Sequence, residues 1–411
     1  MTDRVLSFVG LGKYGTCTYA WADRPEHHVT TNMFPLAMSA WFPSAPVNVF
    51  VTTEAEKDKG RALQAGSKEV ALVRVPSGRT AAELWEMFNV IVNTVEDGES
   101  IALDVTHGFR TQPMLMLAAA VYLRSTKNVT ITEVLYGAYD ARDQETNTAP
   151  VFSLRPFLDL IDWSTAFEQW DRFGSLGAFV DVVARGDARH PDARLSKTMR
   201  NVADGLALNR VEHTRRSAKS AIESARLRAE ELRRNGAPSD IPTAALLERF
   251  VERLEPLAAP PEGRTPAALA AHAASYAEMI EVLLAQGQLA QAAAVARESL
   301  VSLVLLAREP GADLAEPAGR ARWESALNSC ADDKAGPPEL APISAAWSWI
   351  REVRNDLAHA GYTRTNLKTP KIRTNTHDAC QRIVNLLKQP PLDAIDLLEP
   401  QPQRSQEANY A

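Results

Sequence analysis

Residues 100–124 read SIALDVTHGFRTQPMLMLAAAVYLR. Ile101–Val105 is a short apolar run of the kind a strand buries on both faces. Pro113–Arg124 reads as a helix. Between them stand a hydroxyl, an imidazole and a guanidinium, on Thr106, His107 and Arg110, all at the helix N-terminus. A buried strand that runs through a polar loop into a helix is the repeating unit of a parallel, doubly wound sheet. In such sheets ligands bind beyond the carboxyl ends of the strands.

The same unit recurs on either side. Val5–Val9 reads as a strand ahead of a glycine-studded turn, and Val47–Val51 as a second, followed by a polar helix through Gln64. Val70–Val75 precedes an amphipathic helix over Ala81–Val95, and Val129–Tyr136 makes a fifth strand. After Pro156 strand signals vanish and Ala, Leu, Arg and Glu dominate. Helices are expected over Phe157–Phe173, Ser196–Asn235, Ala244–Leu257, Ala267–Ala285, Leu289–Arg308, Arg320–Cys330 and Ile343–His359. The stretch Leu257–Pro266, LAAPPEGRTP, reads as a linker or long turn. The expected fold is therefore α/β plus all-α: a Rossmann-like sheet domain over 1–155, a helical connector over 156–266, a helical domain over 267–390 and a loose tail over 391–411.

Bulk properties narrow the function. At 411 residues the chain is too long for one core. Its net charge of -6 excludes a generic basic scavenger of nucleic acid, so any RNA contact must be local and short. The three cysteines, Cys17, Cys330 and Cys380, have neither disulfide-framework nor zinc spacing, which suits a reducing cytosol and predicts no metal. The opening MTDRVLSFVGLG carries no signal-peptide pattern. The apolar stretch Met114–Leu123 is too short to span a bilayer. The expectation is a cytoplasmic chain without a membrane partner.

Three expected strand ends carry unusual residues. The first is Gly10-Leu11-Gly12-Lys13-Tyr14-Gly15-Thr16, where glycines let backbone approach a phosphate or sugar and Lys13 supplies charge. The second is Thr52-Thr53-Glu54, whose hydroxyls can cap the next helix and face a ligand at once. The third is Asp104 through Arg110, with Thr106, His107, Gly108 and Arg110 as the ligand-facing set. Each has a plainer reading: an incomplete GxGxxG that is only a tight turn, two threonine caps, and a histidine that satisfies loop carbonyls.

The string DVTHGFRTQPML resembles the D-[IV]-T-H-G-[FL]-R motif of the CARF domains found in CRISPR-associated accessory proteins of type III systems. FVGLGKYGTCTYA near the start and LYGAYDARDQETNTAPVFSLRPFLDLIDW later are similar to the same family, so the resemblance covers roughly residues 4–170. It implies a cyclic oligoadenylate activator, the tetra-adenylate ahead of the hexa-adenylate, lying over Gly10–Tyr14, Thr52–Glu54 and Thr106–Arg110 from two subunits. Helix N-termini with Lys13 and Arg110 suit an anionic ring, and two-fold symmetry suits a symmetric ligand.

Near the other end, Ile343, Trp347, Ile350, Val353 and Leu357 form an apolar helical stripe, with Arg354 falling inside it. Asn355 and His359 are four apart and share a different face. Gly361 stands as a helix stop. The segment Arg354-Asn355-Asp356-Leu357-Ala358-His359 matches the R-x4-H motif of the metal-independent HEPN ribonucleases, including an Asn after the Arg. That resemblance implies 2'-OH attack on the adjacent phosphate of single-stranded RNA. His359 would then act as general acid/base, Arg354 would stabilise transition-state charge, and Asn355 would hold the phosphate or fix His359. Arg354 and His359 lie ~140° apart on one helix, so joint action favours a cleft between two chains of a homodimer or higher homo-oligomer.

The plainer reading of this set is a helix-terminal His and an Arg paired with Glu352 or Asp356. Arg185 and His190 repeat the spacing in a loop-like setting without the Asn and are read as chance. Arg297 and Glu298 could orient the motif Arg, though a surface ion pair is simpler. The basic run Arg210–Arg234 interleaves with acids and reads as a solvated helix face.

The leading expectation is a cyclic oligoadenylate-activated endoribonuclease of type III CRISPR defence, with no cofactor. The alternatives are a cyclic oligoadenylate-binding regulator or a ring nuclease without RNase activity, and a nicotinamide-dependent oxidoreductase. The last would want a complete GxGxxG and an acid closing the second strand, where Thr52-Thr53 stands instead.

Overall fold

The computed structural model describes residues 2–185, 193–258, 265–333, 335–359 and 368–400. The chain divides into two compact units, Met1–Asp159 and Leu160–Ala411.

The first unit runs β1 (Arg4–Phe8), β2 (Cys17–Trp21), β3 (His28–Thr31), α1 (Phe34–Trp41), β4 (Val47–Val51), α2 (Thr53–Gly66) and β5 (Val70–Arg74). It continues with α3 (Ala81–Thr94), β6 (Ser100–Asp104), α4 (Thr111–Lys127), β7 (Thr130–Gly137) and β8 (Thr148–Ser153). One eight-stranded sheet forms in the order β3-β2-β8-β7-β6-β1-β4-β5. The five strands expected from apolar runs, β7-β6-β1-β4-β5, pair in parallel throughout. All five residues of β4 are buried, as two covered faces require. Two apolar clusters lie in this unit, one including Val5, Val47 and Phe34, the other Leu6, Phe8, Met87 and Met116.

The sheet is mixed rather than wholly parallel. β8 runs antiparallel to β7, β2 pairs with β8 in parallel, and β3 closes the edge antiparallel to β2. These strands lack a continuous buried run; β2 buries only alternate residues, Cys17, Tyr19 and Trp21. Helix α1 has Pro35 in its first turn as a start signal, but no side chain of its own start caps it.

The second unit is helical: α5 (Arg155–Phe173) enters it, followed by α6 (Gly177–Arg185), α7 (Ala193–Ala207), α8 (Val211–Asn235) and α9 (Asp240–Leu254). Then come α10 (Pro266–Ala285), α11 (Leu289–Arg308), α12 (Pro317–Asp332), α13 (Ala341–Ala358), α14 (Thr369–Lys388) and α15 (Leu392–Ile395). The long helix expected over Ser196–Asn235 is two helices. Asn209 turns the chain between them with φ 53°, a conformation asparagine tolerates better than most residues. The loose-tail expectation fails for its first part, because Ile395 and Leu398 are buried in the helical core. The rest of that tail, the middle of the Leu257–Pro266 linker, His190 and Gly361 lie outside the described residues.

Helices α10 and α11 are long and apolar enough to cross a membrane by length and composition alone, which the reading of Met114–Leu123 overlooked. They pack on each other within the helical core, and α11 buries Leu300, Leu303 and Val304 there. The basic run on α8 is matched by acids: Arg228 pairs with Glu231, Arg233 with Glu248 and Arg226 with Glu255. Arg215 is the exception to a solvated face. It is fully buried, bonded to Glu212 at 2.9 Å and to Ser275 at 2.5 Å, with its guanidinium 4.2 Å from the Tyr276 ring centre.

Candidate functional site

The N-terminal unit presents a recess of about 170 Å³ at the carboxyl ends of its central strands. Lys13, Tyr14 and Gly15 come from the loop after β1, Thr106 and His107 from the loop after β6, and Tyr136, Gly137, Tyr139 and Asp140 from the end of β7 and the turn behind it. Tyr19 of β2 also lines it. This placement follows from the parallel core, which brings strands distant in sequence to one edge with every carboxyl end on the same side.

A buried scaffold holds the loops. Asp104 ends β6 with 1% exposure. It accepts the Ser7 hydroxyl at 2.5 Å and the Thr106 amide at 2.8 Å, tying the β6 loop to β1. Burial raises its carboxyl to about 6, against the opposing pull of those hydrogen bonds. The Thr106 hydroxyl accepts the Gly137 amide at 2.8 Å and so ties the same loop to the end of β7.

His107 is 8% exposed, and its Nε2 accepts the Phe34 amide at 3.0 Å. An acceptor nitrogen cannot carry a proton, and burial lowers the imidazole to about 4, so this ring is neutral. It supplies the missing N-terminal partner of α1. The plainer reading of His107 thus erred in kind, since the ring satisfies a backbone amide rather than a carbonyl. The ring also packs on Tyr14 at 4.1 Å between centres. The Tyr14 hydroxyl in turn accepts the Gly10 amide at 3.1 Å.

Gly108 has φ +114°, and a Cβ there would run into the Gln112 side chain and lie 3.3 Å from Phe8 Cβ. Only glycine takes that turn without strain. Gln112 accepts the Phe109 amide at 2.9 Å, closing the loop onto α4.

The expected residues divide. Lys13, Tyr14, Thr106 and His107 line the recess. Gly10 and Gly108 meet beside it, a Cβ on Gly10 lying 3.8 Å from the Gly108 Cα. Gly12 abuts the Tyr14 ring. Thr52 caps α2, accepting the Ala55 amide at 3.2 Å, and Thr53 is the first residue of that helix; neither lines the recess. Arg110 is the exposed N-cap residue of α4 and forms no ion pair with a described residue. Tyr19, Tyr136, Tyr139 and Asp140 were missed. The rule that ligands sit past strand ends, applied to the fifth strand, would have found Tyr136 through Asp140.

In the helical unit, α13 buries Ile343, Trp347, Ile350 and Val353 as the stripe predicts, with Leu357 half-buried. Arg354 is half-buried, and Asn355 and His359 are exposed at the helix end. Arg354 Nη1 lies 3.4 Å from Asn355 Oδ1, and His359 is the C-cap. Arg297 does not reach this set. It pairs with Glu298 and Glu324 and lies 5.3 Å from the Trp347 ring centre, locking α11, α12 and α13 together from a side chain only 14% exposed. The expected surface ion pair is therefore a half-buried clamp. Among the described residues no group of three or more His, Cys, Asp or Glu could hold a metal ion.

A family model described as the CARF domain of the CRISPR system endoribonuclease Csx1 matches residues 50–141, from the end of β4 through the turn Tyr139–Ala141. Over 96 residues the chain is 33% identical to CRISPR-associated protein MJ1674 of Methanocaldococcus jannaschii. That match covers 23% of this chain and 15% of the relative. The N-terminal unit, with its mixed α/β sheet and strand-end loops, thus carries a CARF domain similar to those of CRISPR-associated proteins, and the chain spans only a small part of the relative it matches.

Proposed function

We propose that the chain is an endoribonuclease of type III CRISPR defence that a cyclic oligoadenylate switches on. The observation that carries the sensing half is the recess: loops from β1, β6 and β7 converge on it, and Lys13 stands there without an ion pair among described residues. Arg110, exposed at the N-terminus of α4, adds a cation where a helix already attracts an anion. Gly10, Gly12, Tyr14, Thr106 and Gly108 complete the surface that two subunits would present to one symmetric ring, with His107 buried as its support and Thr52 and Thr53 holding the start of α2.

Arg354, Asn355 and His359 support the cutting half. RNA brings its own nucleophile, so the protein need only move one proton and stabilise charge on the phosphate. His359, exposed, can exchange that proton with the 2'-OH or the leaving oxygen. Arg354 can offer its guanidinium to the phosphorane oxygens. A second copy of α13 would supply the facing pair. The ligand activates only if it binds the cutting-competent arrangement more tightly than the resting one.

The test incubates labelled single-stranded RNA with the full chain, without divalent metal, and with cyclic tetra- or hexa-adenylate. Cleavage should rise with one of the rings and leave a 2',3'-cyclic phosphate. Equal cleavage with and without every ring rejects activation.

A further inference from the structure

The recess contains one group that an anion-seeking site should avoid. Asp140 lines it from the turn Tyr139–Ala141, is exposed, and forms no ion pair with any described residue. Arg142, two residues on, does not neutralise it; its guanidinium sits 4.2 Å from the Tyr139 ring centre instead. A free carboxylate weakens binding of a phosphate-bearing ligand unless the ligand gives it a hydrogen-bond donor in return. The other walls say which part of the ligand is there. Tyr14, Tyr19, Tyr136, Tyr139 and His107 make an aromatic lining that suits a base, while Lys13 in the same lining is left for the phosphate attached to it. At about 170 Å³ the recess is smaller than the roughly 300–1,000 Å³ of sites that enclose a drug-sized ligand, so it suits a single base.

Resting on the sensing function proposed above, we infer that Asp140 selects adenine by accepting a hydrogen bond from its exocyclic amine. Adenine offers an N–H donor at that edge, whereas hypoxanthine offers a carbonyl oxygen that a carboxylate repels. The carboxylate trades some affinity for the phosphates against discrimination among bases, which a signal-sensing site needs.

The test measures binding of cyclic tetra-adenylate, cyclic tetra-inosinate and the 2'-deoxy adenylate ring to the full chain by calorimetry. Wild type should prefer the adenylate ring over the inosinate ring by about tenfold or more, the scale of one hydrogen bond to a charged group. Asp140→Asn should cut that preference several-fold, because an amide can turn either its oxygen or its NH2 to the base. Asp140→Ala should lose the preference. Asp140 is exposed, so both variants should melt with the wild type. If both variants keep the wild-type preference while still binding the adenylate ring, the assignment of Asp140 is wrong. If they lose discrimination against the 2'-deoxy ring alone, the carboxylate holds a ribose and the assignment is again wrong. If wild type binds no cyclic adenylate, the sensing function itself fails, and Asp140 with it.

Discussion

His107 and His359 are the same residue type in two regions that use it in opposite ways. His107 is buried, neutral and spent on the Phe34 amide. His359 ends α13 in solvent. Around His107, Asp104 and Thr106 bond to residues from two other strands, so the N-terminal site is a product of the sheet. Arg354, Asn355 and His359 come from one helix end and need little from the fold beyond the buried stripe beneath them. Substitutions in the first region should therefore be read in stability as well as ligand binding, and those in the second almost wholly in chemistry.

The sharpest way to break this contrast is His359→Ala. RNA cleavage should fall by about 100-fold or more, the usual worth of a general acid/base. Stability should stay within ~0.5 kcal/mol, as for an exposed residue away from packing. Denaturant unfolding and a cleavage assay on one preparation decide it; normal cleavage would remove His359 from the site.

Gly108→Ala should do the reverse. Its Cβ collides with Gln112 at a φ that alanine resists, at a cost of ~1–3 kcal/mol. The melting temperature should drop while any basal, ring-independent cleavage persists. An unchanged melting temperature would mean that the loop is not held as described.

Asp104→Asn sharpens the comparison through pH. The Asp104 carboxyl is raised from an unfolded value of ~3.9 to about 6. The folded state therefore holds the extra proton between those values, and wild type loses stability as pH rises through about 6. His107 opposes it: lowered from ~6.5 to about 4, it loses stability as pH falls through that range. With Asp104 replaced, the remaining dependence should tilt toward alkaline stability. The variant should therefore gain on wild type between pH 4 and 7.5 in thermal melts run at about those two values. A constant difference would show that Asp104 is not a buried titrating group.

The smallest effect is expected from Thr52→Ala. It removes the α2 cap for ~1 kcal/mol and leaves ring-independent RNA cleavage intact.

Much of this molecule can be read from its residues in order. Val5–Val9, Val47–Val51 and Ile101–Val105 announce buried strands, because a strand covered on both faces must be apolar throughout. The stripe Ile343–Val353 likewise announces which side of α13 is buried. Such patterns are local, each the period of one element against one core. The antiparallel edge of β2, β3 and β8 is not local. Those strands exist because neighbours accept their backbone groups, and their alternating burial lacks the continuous apolar run that marks the central strands.

The recess could be foreseen only in part. Lys13, Tyr14, Thr106 and His107 stand at strand ends that periodicity reveals, while Tyr19 joins them from a strand that it does not. Nor could the fate of His107 be read from DVTHGFR. An imidazole in a loop and an uncapped helix start at Phe34 are 73 residues apart, and each is unremarkable alone. The sequence by itself determined the two-part α/β and helical plan, since burial sets the spacing of apolar side chains. The tertiary structure alone decided which polar groups are free to act, because a donor is spent or available only according to what lies within 3 Å of it.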